Sequence, residues 1–188
     1  MLVVIELFVF FLMLLSVCKS DYAIYNFPST SSDQEINSST YTKSIALTFD
    51  DGPHGVLTPK LLDVLSETNS KATFFIMGVK AKLHPNVLRR MIAEGHEIGN
   101  HGWDHPVMSK LSHDQVHQQL ATTMDAIRNA TDFIPTIMRP PYGNTNKKLN
   151  RYIATKEKLG VIMWSLDTLD WQRPSTDAIG KYNLHFGV

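Results

Sequence analysis

The sequence predicts an α/β domain built on a parallel sheet or barrel. Short apolar runs recur along the chain, stretches of helical spacing separate them, and polar clusters lie just past the ends of the runs. From Ser44 onward the strand candidates are residues 44–49, 72–77, 97–100, 136–139 and 161–166, with helices near 58–68, 85–94, 112–129 and 146–159. Ile45, Ala46, Leu47 and Phe49 make the first run, and Gly52-Pro53 stops it. Phe74-Phe75-Ile76-Met77 in the second is most simply core. Glu97-Ile98-Gly99-Asn100 is the third, Arg139-Pro140-Pro141-Tyr142-Gly143 follows the fourth, and Trp164 to Trp171 closes the fifth.

The first run ends in two carboxylates, Asp50 and Asp51, at a strand's C-terminal end, where α/β folds place their chemistry. Just past the third strand come His101 and His105. Asp51, His101 and His105 offer one hard oxygen and two imidazole nitrogens, a set that suits zinc or a similar divalent ion and leaves a position open for water. Asp50 is then free to act as a base. Taken singly each cluster has a plainer reading. An Asp-Asp pair before Gly-Pro is more often a turn, because Asp bonds its own backbone there. Histidines four apart share a helical face, but Gly102 and Pro106 argue for a loop, and such histidines are commonly surface residues. Their joint occurrence at two strand ends favours a metal site.

With the Arg139 and Asp167 to Trp171 segments added, the sequence resembles the polysaccharide deacetylase family, metal-dependent carbohydrate esterases that include chitin deacetylases and peptidoglycan N-acetylglucosamine deacetylases. Thr48-Phe49-Asp50-Asp51-Gly52-Pro53 matches the family's first motif, and His101-Gly102-Trp103-Asp104-His105 its second, usually His-Ser/Thr-x-x-His. The third and fourth are the Arg139 and Asp167 to Trp171 segments. The resemblance implies a distorted (β/α) barrel of fewer than eight strands with its site at the C-terminal rim. The five strands found here would leave it incomplete, with closing strands missing and one side open.

The resemblance further implies that Asp51, His101 and His105 bind Zn2+, or another divalent metal such as Co2+ or Mn2+, and that Asp50 is the catalytic base. Such an ion lowers the pKa of its water towards roughly 7 while Asp50 accepts the proton. Arg139 should tether Asp50, the backbone of Tyr142 should serve the oxyanion, and Trp164 should line the pocket for the acetyl methyl. Asp170 would orient the family's acid, a histidine of a fifth motif. Only 17 residues follow Trp171; Leu184-His185 is a superficial candidate, and the chain reads as a truncated gene model, a splice form or a fragment. Gly102 in place of Ser or Thr removes a hydroxyl that would brace the histidine loop, which predicts weaker metal binding. Trp103 and Trp171 would either stack on a pyranose ring or pack beneath the loops. His54, His84, His96, His113 and His117 read as surface or turn residues, unless His54 lines the rim.

Residues 2 to 17 are apolar and too short for a comfortable membrane span, so residues 1–20 read as a secretory signal peptide, with an uncleaved anchor as the alternative because Glu6 interrupts the run and no Lys or Arg precedes it. Residues 21–43 are rich in Ser, Thr, Asn and Asp and read as a flexible leader before a domain at 44–188. Sequons at Asn37 and Asn129 are candidate N-glycosylation sites. Cys18 is the only cysteine, so cleavage after Ser20 leaves no thiol. With 18 basic and 18 acidic residues and no basic run, a nucleic-acid partner is not expected. The expected protein is thus a secreted hydrolase removing N-acetyl groups from chitin-like polysaccharide. The alternatives are an inactive carbohydrate-binding homologue and an O-acetyl esterase acting on xylan.

Overall fold

The computed structural model describes residues 13–17 and 45–172. Five parallel strands form its centre: β2 (Ile45–Gly52), β3 (Ala72–Ile76), β4 (Glu97–Asn100), β5 (Ile137–Met138) and β6 (Gly160–Val161). Beyond β2 the sheet continues through β1 (Met13–Val17), antiparallel to β2, and β7 (Leu166–Asp167), antiparallel to β1. The order β6-β5-β4-β3-β2-β1-β7 runs edge to edge without closing, the open α/β arrangement the sequence implied. β1 lies inside the stretch read as a signal peptide.

Helices α1 (Leu57–Glu67), α2 (Gly78–Leu83), α3 (Pro85–Ala93), α4 (His113–Thr131) and α5 (Lys147–Tyr152) connect the strands. Leu61, Leu62 and Leu65 of α1 and Leu88 and Met91 of α3 recur at helical spacing and bury against Phe74, Ile76 and Ile98 of the sheet. Phe74 and Phe75 are both buried although they point to opposite faces, as expected of a parallel strand covered on each side. A second cluster joins Val116 and Leu120 of α4 to Met138, Leu149, Ile153 and Val161. Ser112 and Gln115 form a reciprocal capping box that starts α4, and Asp132, at φ +59°, ends it.

The sequence-based boundaries differ from the structure in three places. Helix α2 was not anticipated, because six residues carry too short a period to be read. The helix expected over 146–159 stops at Tyr152 and continues as one π-helical turn, Ile153–Glu157, before Lys158 reverses the chain at φ +59°. The strand expected over 161–166 is two strands on opposite sides of the sheet. After the Ile162 amide bonds the Met138 carbonyl, the Ile162 carbonyl is taken by the Arg139 guanidinium, and the chain leaves the ladder there.

Candidate metal centre and active site

At the end of β2 the pairing with β3 shifts register between Phe49 and Gly52, and Asp51 adopts a left-handed backbone at φ +64°. Asp tolerates that conformation better than most residues, yet a non-glycine residue there costs of order 1–3 kcal/mol and persists only where its surroundings enforce it. Two bonds do so here. Lys80 Nζ donates to the Asp51 carbonyl at 2.7 Å, and the Met77 amide donates to the Gly52 carbonyl at 3.1 Å. Asp50 is thereby sealed in the interior, while the Asp51 side chain stays about one-third exposed (34%).

His101 follows β4 directly, its amide bonded to the Ile76 carbonyl at 2.9 Å. Its Nδ1 lies 2.7 Å from the Arg139 carbonyl. A carbonyl only accepts, so Nδ1 carries the proton and Nε2 turns a lone pair towards Asp51. The loop then bends at Gly102 (φ +76°) and His105 (φ +64°), which returns the second imidazole to the same carboxylate. His101 Nε2 and His105 Nε2 stand 3.3 and 3.0 Å from Asp51 Oδ1.

Asp51, His101 and His105 are a set of residues whose donor atoms all lie within 4.8 Å of one another. Tetrahedral ligands at 2.0–2.1 Å from zinc sit roughly 3.3 Å apart, so this spacing fits a divalent ion of that size. The buried Asp51 Oδ1 also makes no hydrogen bond among the described residues, as a ligand oxygen awaiting a cation would. Burial alone would raise the Asp51 carboxyl, but the two imidazoles beside it, when charged, outweigh burial and hold the group well below the usual carboxylate range.

Asp50 has a partner of its own. Arg139 Nη1 donates to Asp50 Oδ1 at 2.7 Å and to Thr48 Oγ1 at 2.9 Å, and Nε donates to the Ile162 carbonyl at 3.2 Å. The guanidinium lies 4.1 Å above the Phe75 ring, and both charged side chains are inaccessible to solvent. Burial pushes the Asp50 carboxyl upward and dominates the opposing pull of His101 and Arg139.

Pro140, Pro141 and Tyr142 continue the chain past β5 in a tight turn. The Gly143 and Asn144 amides bond the Pro140 and Pro141 carbonyls, and the prolines have no N–H, so Tyr142 carries the turn's remaining amide. Its backbone sits at φ +60°, the residue is 65% exposed, and its ring centroid is 4.3 Å from that of His105. Trp164 comes within 5.5 Å of the Arg139 guanidinium and packs so tightly on Gly143 that a methyl group there would reach 2.3 Å from the indole. The structure thus gathers Asp50, Asp51, His101, His105, Arg139, Tyr142 and Trp164 in one place.

The remaining candidates make other contacts. A methyl group on Gly78 would come within 2.3 Å of Trp103, so that indole is packed against the start of α2, the second of the two readings for it. Trp171 is exposed in the turn Asp170–Gln172, and Asp170 Oδ1 accepts from the Thr168 hydroxyl at 3.1 Å. Asn129 lies on the exposed side of α4, while Asn37 and His185 fall outside the described residues. His54 accepts the Val56 and Leu57 amides at the start of α1 through Nδ1.

Sequence reasoning missed four supports. Thr48 shares Arg139 with Asp50. Lys80 holds the Asp51 backbone. Asn100 Oδ1 accepts the Gly102 amide at 2.9 Å, and Gln119 Oε1 accepts the Trp103 amide at 2.7 Å. The last two brace the histidine loop without a hydroxyl at position 102, so the loop is not left loose by Gly102. Only Thr48, inside the first motif, carried a motif signal; Asn100 acts on an amide two residues on, and Lys80 and Gln119 act across elements from positions with no distinguishing pattern.

A family model for polysaccharide deacetylase matches residues 37–162. The chain is 41% identical over 154 residues to peptidoglycan-N-acetylglucosamine deacetylase PgdA of Listeria monocytogenes, covering 82% of this chain and 32% of that protein. It is 43% identical over 141 residues to the chitooligosaccharide deacetylase of Bradyrhizobium, covering 73% of this chain and 63% of that one. The chain therefore spans less than two-thirds of the length of each. The solved structure of peptidoglycan deacetylase PdaC from Bacillus subtilis superposes with a TM-score of 0.67 at 37% identity, over 71% of this chain and 64% of that one. Motif order, strand-end geometry and these matches agree that the chain belongs to the polysaccharide deacetylase family.

Proposed function

We propose that the protein is a secreted, zinc-dependent deacetylase that removes N-acetyl groups from N-acetylglucosamine units of a chitin-like polysaccharide. The observation that carries this reading is the pairing of a three-donor cluster, Asp51, His101 and His105, with a separate buried carboxylate, Asp50, held by Arg139. The relatives named for peptidoglycan N-acetylglucosamine and for chitooligosaccharide support the same sugar unit. The apolar stretch at residues 2–17 supports export. No helix among the described residues is long and apolar enough to cross a membrane.

A divalent ion held by these three side chains would supply Lewis-acid polarisation of the acetyl carbonyl and make water acidic enough to react near neutral pH. The chain's own groups do the rest. His101 presents Nε2 because Arg139's carbonyl holds its Nδ1 proton, so one residue orients both a ligand and the base. Asp50, raised by burial, accepts the proton of the attacking water, and Arg139 keeps its carboxylate aimed. The Tyr142 amide is the donor for the developing oxyanion, and Trp164 forms an apolar wall beside it. As the carbon–nitrogen bond breaks, acetate leaves and the amine takes up the proton that Asp50 accepted from the water.

The test is acetate release from, and binding to, acetylated chitin oligomers, peptidoglycan and acetylated xylan, with and without a chelator, for the wild type and Asp50→Asn. The reading expects chelator-sensitive release that falls by about 10²–10⁴-fold in the variant. Glycan binding with no release would make the protein a non-catalytic carbohydrate-binding homologue. Release confined to acetylated xylan would make it an O-acetyl esterase.

A further inference from the structure

Both loops that carry the metal-binding candidates are fastened to one short element, the start of α2. The Gly78 amide bonds the Gly102 carbonyl at 2.9 Å and the Val79 amide bonds the Trp103 carbonyl at 3.0 Å, which fixes the histidine loop. On the other side the Met77 amide and the Lys80 ammonium take the carbonyls of Gly52 and Asp51. Three of these four bonds are backbone to backbone and survive any side-chain change. The fourth depends on residue 80 alone.

We propose that Lys80 is a positioning residue of the metal centre, which holds the strained Asp51 peptide in the orientation that turns its carboxylate to His101 and His105. The proposal rests on reading those three residues as metal ligands. Asp51 is left-handed at φ +64°, and its peptide would relax by rotating about its flanking bonds, which would swing the side chain away from the histidines. A charged donor 2.7 Å from the carbonyl opposes that rotation. Lys80 is only half-buried and reaches the carbonyl from the next crossover, 29 residues on, so the contact is a tertiary tie.

Two effects of the ammonium on a metal oppose each other, and the sign of the change separates them. As a bare charge near a cation site Lys80 repels a dication, so its removal would tighten binding. As a tether its removal loosens binding, by roughly 10- to 100-fold if it acts as outer partners of metal ligands usually do. The tether should dominate, because the carbonyl beneath the ammonium absorbs much of its field.

The experiment is zinc titration of the full chain by competition with a chromophoric chelator, for wild type, Lys80→Met and Lys80→Arg, with melting curves of each apo form. Lys80→Met is expected to weaken zinc by about 10- to 100-fold while its apo melting point stays within about 5 °C of wild type. Lys80→Arg, which keeps the donor, is expected to recover most of the affinity. Unchanged or tighter zinc binding in Lys80→Met overturns the proposal. So does an apo melting point that collapses, since Lys80 would then be a general structural residue. A wild type that binds no zinc removes the metal-site reading and this proposal together, an outcome distinct from the other two.

Discussion

Arg139 Nη1 lies 2.7 Å from Asp50 Oδ1, with 0% and 2% of the two side chains exposed. The carbonyl of the same arginine holds His101 Nδ1. Arg139 therefore ties the proposed base to a proposed metal ligand across the sheet, and the two members of the pair are not equally dispensable.

Arg139→Met should destabilise the fold by about 3–5 kcal/mol, because it strands a buried carboxylate without its partner. Asp50→Asn should cost less, about 1–2 kcal/mol, since the amide oxygen still accepts from Nη1. Urea unfolding of the chelated proteins measures both; equal costs would mean that the pair contributes through packing alone.

Gly102→Ser restores the hydroxyl common in the family, yet here it should weaken the site. Position 102 sits at φ +76°, and a Cβ there would come within 2.6 Å of the Met108 methyl. The Met108 side chain can yield, so the backbone sets the cost, about 1 kcal/mol. A small drop in the apo melting point, with zinc affinity unchanged or lower, is the expected result. A gain in both would show that Asn100 and Gln119 brace the loop poorly.

His96 makes stability depend on pH. Its Nδ1 accepts the Ala72 amide at 3.2 Å, which requires the neutral ring, and burial first, then Lys71's charge, pushes its pKa below the ordinary 6.5. As pH falls through about 6.5 the unfolded chain gains a proton that the folded chain still refuses. Stability is therefore full above that pH and declines below it, down to the folded-state value. His96→Gln keeps an acceptor for the amide and lacks the titration. Urea midpoints at pH 7.5 and pH 5 should fall further for wild type than for the variant; parallel falls would contradict the assignment.

The legible parts of this protein were those with a local signature. Buried strands announced themselves as apolar runs, and Asp50-Asp51 and His101/His105 stood at their ends. Order along the chain then matched a family. What was illegible is tertiary. No pattern in the sequence marks Lys80 as the residue that reaches Asp51, or Gln119 as the brace of a loop 16 residues away. The apolar run 161–166 reads as one strand because periodicity is blind to the Arg139 side chain that captures the Ile162 carbonyl and ends it. Trp103 could have been a sugar platform or packing; only its closeness to Gly78 separates the two.

The proposed roles divide the site: Asp51, His101 and His105 would hold a metal ion and Asp50 would not. Zinc content per chain after equilibration and desalting, for wild type, Asp50→Asn, Asp51→Asn and His101→Ala, tests this division most directly. About one zinc is expected in the first two and little in the last two, with the fold stabilised by zinc only where zinc is retained, by about 2.7 kcal/mol at a hundredfold excess over Kd. Zinc retained in Asp51→Asn and His101→Ala, or absent from wild type, would contradict it.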